Sequence, residues 1–564
     1  MINNNLNIRG ILSLCLIVML SFNSCKDYLA EKPTSQFSAD FVYNTPEGLE
    51  AGVVGLYNLQ RAFFDNGENN GSNSLIIDAK DDLTVPRGGE ISNYGLMRQG
   101  VNADNSSVHS FWWNSYYKIV DRANAIIAAG ERLPNIDEAK RRQILAEAKF
   151  FRANAVFTLF KTFNNIYITT EPTSFETAFR TINSKTPEAD IYKLVNGDLI
   201  YSIENLTWAS YQVGRVNQAT ARHLKAEVAL WQKNWPEAKL QAEEIIAQTG
   251  TYSLQPSTGQ VFAGDLNHKE SLWTLQYKES IDGNPNKINF NLMPNYAELI
   301  PGSKYSIEQG GRGFGWLTVN NYLRDLLLSD PNDTRIKGTY YIKDYFYNDP
   351  ATLPAGKVLG SKIEHPDWKE FGTTGNNRHL FFVRLTTGCK KFFPTTGVPT
   401  VDAHTMNRMM YRLAETFLFA AEANLNLGNI GTSADPGTSK TALGQINAVR
   451  KRAGATALNS LTLQDILDEQ ARELAFEGRR WYMLKRTGKL YEFVKEHAGY
   501  GRPGDESSDT NQTTGHANTP ADPFPYRNDA RRIIRPYMVN WVIPRAQLNL
   551  LGPDYPQNDG YIIN

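Results

Sequence analysis

Residues 217–254, "NQATARHLKAEVALWQKNWPEAKLQAEEIIAQTGTYSL", decide the fold class. Small and apolar residues recur at Ala221, Leu224, Ala226, Val228 and Trp231 with helical spacing. A tight turn at Lys233–Asn234 follows, and Trp235 and Pro236 open a second helix carrying Ala238, Ala242, Ile245 and Ile246. Alanines on the facing sides let two antiparallel helices approach closely. The unit is similar to a tetratricopeptide helix–turn–helix repeat, which buries its apolar face only by stacking on neighbours. A looser copy pairs "MYRLAETFLFAAEANLNLGN" (410–429) with "TALGQINAVRKRAG" (441–454).

Working outward, helical patterns dominate. "TPEGLEAGVVGLYNLQRAFF" (45–64) starts with Thr45 as cap and Pro46 at the first helical position. "FWWNSYYKIVDRANAIIAAGERL" (111–133) places Tyr116, Ile119, Val120, Ala123, Ile126 and Ile127 on one face, and a long amphipathic helix follows. Residues 286–316 and 350–405 are instead rich in Gly, Pro, Asn and Thr, and 499–530 form a polar loop longer than ordinary connections. The expected organisation is a signal at 1–24, a linker at 25–44, a helical region at 45–285, a loop-rich insertion at 286–405 and a second helical region at 406–564.

Zero formal net charge over 564 residues argues against nucleic acid as the main partner, and 27 Tyr, 27 Phe and 10 Trp suit an uncharged ligand. The twelve residues "ILSLCLIVMLSF" (11–22) reach about 18 Å as a helix against about 30 Å of hydrocarbon, too short for a membrane span. With "NSC" after them they resemble a bacterial lipoprotein signal, cleaved between Ser24 and Cys25 so that Cys25 is acylated. Eight histidines lie scattered without metal-ligand spacing, and no nucleophile elbow or phosphate loop is present. "DAKDD" (78–82) lacks the glycine and terminal glutamate of a calcium loop and reads as a solvated acidic turn.

"ARELAFEGRRWYMLKRTGKL" (471–490) raises the question of catalysis. Read as one helix, it continues a side on which Glu469, Glu473 and Glu477 recur every fourth residue. Close carboxylates occur in retaining glycosidases, at about 5–5.5 Å. A glycosidase acid needs a raised pKa. Here Arg472 stands three residues from Glu469 and Arg480 three from Glu477, with Arg479 and Lys485 nearby, and such cations lower carboxylate pKa values. Arg412, Glu415 and Glu422 sit in a neighbouring apolar helix, and buried charges must be paired. The expectation is ion pairing between the C-terminal helices, without catalysis.

The same residues resemble the C-terminal signature of the SusD/RagB family of nutrient-binding lipoproteins: an Arg-Glu-Leu-Ala-Phe-Glu-Gly core, then Arg-Trp and Leu-x-Arg. Further segments fit in order: "SCKDYLAEKPTSQF" (24–37), "ILAEAKFFRANAVFTLFKTFNNIYI" (144–168), "GRVNQATARHLKAEVAL" (214–230), the 410–428 helix and "WVIPRAQLNLLGPDYPQNDGY" (541–561). The resemblance implies a mainly α tetratricopeptide-like scaffold with loop-rich insertions. It implies a non-catalytic protein without cofactor or metal, lipid-anchored to the outer membrane and facing outward. Such a protein captures glycans, or in some branches peptides, for a TonB-dependent transporter of the SusC type. It also places the ligand surface before the helix at 111 and in the middle insertion. A sugar needs flat aromatic faces beside amides and charged groups. Tyr94, Arg98, Asn102 and Trp112 are the candidates in the first region, and Tyr305, Phe314 and Trp316 in the second. Trp113 and Tyr116 are expected to face the core.

Overall fold

Asn217 opens the helix Gln218–Trp231 with a reciprocal capping box to Thr220. The chain reverses at Lys233, whose φ is +55°, and Asn234 caps the helix Trp235–Ile246 by accepting from the Glu237 N–H. Pro236 lies in its first turn, where a missing N–H costs no hydrogen bond. The recurring positions named above, Ala221, Leu224, Ala226, Val228, Ala238, Ala242, Ile245 and Ile246, are buried, and Trp231 is half-buried with its ring edge against Phe157. The repeat reading holds.

A computed structural model describes residues 42–65, 72–86, 107–174, 177–278, 287–298, 300–364, 385–498 and 534–561. Its helices are α1 (Pro46–Asp65), α2 (Ser72–Ala79), α3 (Ser107–Arg132), α4 (Glu138–Phe163), α5 (Glu188–Asn205), α6 (Gln218–Trp231) and α7 (Trp235–Ile246). These are followed by the short α8 (Thr258–Val261), α9 (Ile288–Leu292) and α10 (Asn321–Leu328). The C-terminal part contributes α11 (Leu413–Asn426), α12 (Ala442–Arg452), α13 (Leu463–Leu474), α14 (Arg480–Arg486), α15 (Leu490–His497) and α16 (Arg545–Leu551). From α3 to α7 each helix packs on the next; α7 then packs on α11, and α11 on α12 and α13. The scaffold is a stack of helix pairs interrupted between α7 and α11. Thr45 caps α1 through the Gly48 N–H, and the six expected positions on α3 are buried. No described helix is long and apolar enough to cross a membrane.

Three two-stranded antiparallel ladders are present among the described residues: β1 (Thr84–Pro86) with β3 (Leu317–Val319) ties the insertion to the scaffold, β2 (Ser271–Leu275) with β6 (Arg408–Arg412) joins the scaffold on either side of it, and β4 (Tyr341–Ile342) with β5 (Gly388–Cys389) lies within it. Every pair joins strands remote in sequence. The insertion also owns a small core, in which Met293, Tyr296, Ile342, Tyr345 and Tyr347 are buried together. It is therefore packed internally as well as tethered.

The acidic turn at 78–82 is a correction. Asp78, Lys80, Asp81 and Asp82 are all buried, not solvated. Their partners come from far along the chain: Arg480 clasps Asp82 with two bonds of 2.8 and 2.7 Å, and Asp78 accepts the Gly478 N–H at 2.9 Å. Burial, with Glu477 nearby, outweighs that bond and the cations Arg408 and Lys391, and raises the Asp78 carboxyl to about 7. A raised folded pKa means the fold prefers the protonated acid. That preference stabilises fully below the ordinary carboxylate value and is lost as pH rises to about 7. Asp78→Asn keeps the acceptor for Gly478 and removes this titration, up to about 4 kcal/mol of pH dependence across the window. Urea denaturation at a series of pH values should show the variant gaining on the wild type between about pH 4 and 7; parallel curves would contradict it.

Candidate functional site

The acidic stretch does not form one helix. α13 ends at Leu474, and the chain turns through Phe476 (φ +69°) and Gly478 (φ +74°) before α14 begins. Glu477 therefore sits in a turn, and its partners are Arg412 (Nε–Oε2 2.8 Å) and Lys391 (2.7 Å), not Arg480. Glu469 binds Arg335 and Arg450, each at 2.7 Å. Glu473 is shared by Arg335 at 3.0 Å, Arg412 at 2.5 Å and Arg452, and it also accepts the Tyr340 hydroxyl at 3.0 Å. Glu270 closes the network against Arg412 and Arg452.

Burial alone raises these carboxyls. For Glu473, the cations Arg452, Arg412 and Arg335 reverse that and hold it well below the usual carboxylate range. Burial is likewise outweighed at Glu469 by Arg335, Arg450 and Arg472, and at Glu477 by Arg412 and Lys391. A proton-donating acid needs the opposite shift. The network extends well beyond the C-terminal helices expected to hold it: Arg335, Lys391 and Glu270 come from the interrupting segment and the strand ladder. On α11, Glu415 meets Arg479 and His223, and Glu422 meets Arg486.

The sequence-nominated aromatics separate into three places. Trp112 is a correction: it is buried, its indole N–H donates to the Asn73 carbonyl at 2.9 Å, and its ring lies 4.9 Å from Phe63 and 5.1 Å from Trp541. α3 is apolar on more than one side, with Trp113 and Tyr116 buried as well. Tyr305 is half-buried in the insertion's own core, bonded to Asn295 and edge-on to Tyr296 at 5.3 Å. Phe314 and Trp316 are brought together. Their centroids lie 5.9 Å apart; Phe314 is 39% exposed, and Trp316 is half-buried against the main core.

A third ring, Phe290 on α9, completes this patch and was not foreseen. It stacks on Phe314 at 5.8 Å and 22°, and its carbonyl accepts the Phe314 N–H at 2.7 Å. Its signal in the sequence was a single aromatic inside "INFNL". Glycine is required here: Gly315 has φ +67°, and a Cβ on Gly313 would fall 1.9 Å from the Met293 carbonyl oxygen. Arg312 anchors the loop through its N–H to the Pro399 carbonyl (2.7 Å) and its guanidinium to Asp402 (2.8 Å). The patch is thus two rings on an anchored loop and a third on α9.

β3 follows Trp316 directly, and Leu317 pairs with Pro86, the residue at which the first nominated segment begins. Tyr94, Arg98, Asn102 and Cys25 lie outside the described residues. Among the described residues no cluster of His, Cys, Asp and Glu is arranged to hold a metal ion, and Cys389 is buried and free.

Two family models match the chain: one described as the SusD family over residues 269–561, the other as "Starch-binding associating with outer membrane" over 27–229. The SusD-like protein P25 of Formosa agariphila is 24% identical over 517 residues, 87% of this chain and 92% of its own length. The starch-binding protein SusD of Bacteroides thetaiotaomicron is 36% identical over 97 residues, 17% of this chain and 14% of its own. Among solved structures, a laminarin binding SusD-like protein matches with a TM-score of 0.64 at 23% identity, covering 91% of this chain and 99% of that one. Surface glycan-binding protein A from Bacteroides uniformis matches at 0.63 and 20%, over the same shares. The stacked helix pairs, the interrupting insertion and the 471–490 signature all find their place in this comparison: the chain belongs to the SusD family.

Proposed function

We propose that the protein binds oligosaccharide at the cell surface, without cleaving it, and delivers it to a TonB-dependent outer-membrane transporter of the SusC type. It is held at the outer membrane by lipid on Cys25. The observation that carries the binding reading is the patch of Phe290, Phe314 and Trp316, because the stacked Phe290–Phe314 pair, with Trp316 edge-on beside it, offers a sugar's C–H face a held aromatic surface at little ordering cost. Relatives named for starch, laminarin and surface glycans support a glycan as the ligand. Against hydrolysis stands the acidic network, in which arginine and lysine engage Glu469, Glu473 and Glu477 and hold them below the usual carboxylate range.

Calorimetric titration of the intact protein with a panel of glycans and peptides tests this. A glycan should bind, and Trp316→Ala should weaken it by about 2 kcal/mol, roughly thirtyfold, as for a central aromatic anchor. Binding of peptides alone would overturn the sugar assignment, and release of reducing ends would overturn the non-catalytic one. The transporter should co-purify from membranes with the acylated protein and be lost with Cys25→Ala.

A further inference from the structure

A second groove lies away from the aromatic patch, between α3, the loop from Tyr167 to Ile182 and α16. Its volume is about 600 Å³, within the range of small-ligand pockets. One wall is a stacked pair, Tyr117 and Tyr167, 5.8 Å apart at 21° and both partly exposed. Their hydrogen bonds lock the pair: the Tyr117 hydroxyl donates to the Tyr167 carbonyl at 2.8 Å and accepts its N–H at 3.2 Å.

The loop is fastened at several of its described residues. Asn124 donates to the Thr169 carbonyl at 2.8 Å, Asp121 accepts the Thr173 N–H at 3.0 Å, and the Ile182 N–H donates to the Leu551 carbonyl at 2.7 Å. Those described backbone groups are already paired within the protein. The side chains differ. Asn114, Thr170 and Gln547 line the groove with amide and hydroxyl groups that have no partner among the described residues. The Thr173 hydroxyl adds a fourth such group. The charged lining residues, Glu171 and Arg180, face each other at 4.0 Å and compensate, so the groove presents no net charge for an ion.

Fixed aromatic faces beside free hydroxyl and amide groups, without net charge, match a neutral polyol: C–H faces against the rings, and hydroxyls that donate and accept at once. We infer that this groove is a second carbohydrate-binding site, taking a neutral sugar chain. The inference rests on the reading of the protein as a glycan binder but uses none of the residues of the aromatic patch.

Hydrogen exchange of the full protein, with and without saturating laminari- or malto-oligosaccharides, tests it by location. The expected result is slowed exchange at 167–182, abolished by the exposed substitution Asn114→Trp, which fills the groove, and reduced by Thr170→Ala. Slowing at 287–316 should survive both substitutions. Slowing at 287–316 alone would overturn the groove site and leave the proposed function standing. Slowing at 167–182 alone would support the groove and remove the aromatic patch from binding. Slowing at neither would overturn both, as would slowing at 167–182 by peptides where sugars give none for the ligand class.

Discussion

Glu473→Ala should lower the stability of the fold by about 3–5 kcal/mol, measured by urea or guanidinium denaturation near neutral pH, because it leaves buried cations uncompensated. Arg335, Arg412 and Arg452 converge on this one carboxylate, and all three are buried. None can shed its proton to relieve the repulsion. The effect is pH-dependent with a known sign. Since the folded pKa values of Glu469, Glu473 and Glu477 are depressed, their stabilisation is fully present above the ordinary carboxylate value and is lost as pH falls toward the depressed ones. A loss below about 1 kcal/mol, the scale of an exposed ion pair, would mean that water reaches the network.

The second large effect lies at Arg480. Arg480→Met should also cost about 3–5 kcal/mol, since Asp82 is fully buried and takes both of its short charged bonds from this guanidinium. The comparison with Asp82→Leu and the double variant carries the physical content. Each single change leaves one buried partner unsatisfied, whereas the double change removes both and should recover most of the loss. Strict additivity of the two losses would show that the side chains do not act as a pair.

What the sequence made legible follows the reach of each interaction. The hairpin of α6 and α7 was readable down to its turn because its determinants, the Asn217 and Asn234 caps, the Lys233 reversal and Pro236, lie within a few residues of what they control. The core face of α3 was readable for the same reason, but Trp112 was not: a single stripe describes a helix packed on one side, and α3 is covered on several. The 78–82 turn was misread because the counter-charge of Asp82 stands 398 positions later. Glu477 was assigned to Arg480 by helical spacing, and the break at Phe476–Gly478 turned it toward Arg412 and Lys391. Of the candidate surface, Phe314 and Trp316 stand two residues apart in sequence and are neighbours in space. Phe290 joins it through a backbone bond and a ring stack with Phe314, a residue 24 positions later.

The clasp between Asp82 and Arg480 has a kinetic consequence. A chain emerging from its N-terminus must synthesise almost the whole scaffold before the acid at position 82 can meet its base, and the Trp541 N–H, which donates to the Thr162 carbonyl, arrives later still. Contacts of such separation carry a loop-closure cost that slows folding. The turn at 78–82 thus cannot seal ahead of the rest, and a nascent chain halted short of residue 480 should remain protease-sensitive there even where its helix pairs have already stacked.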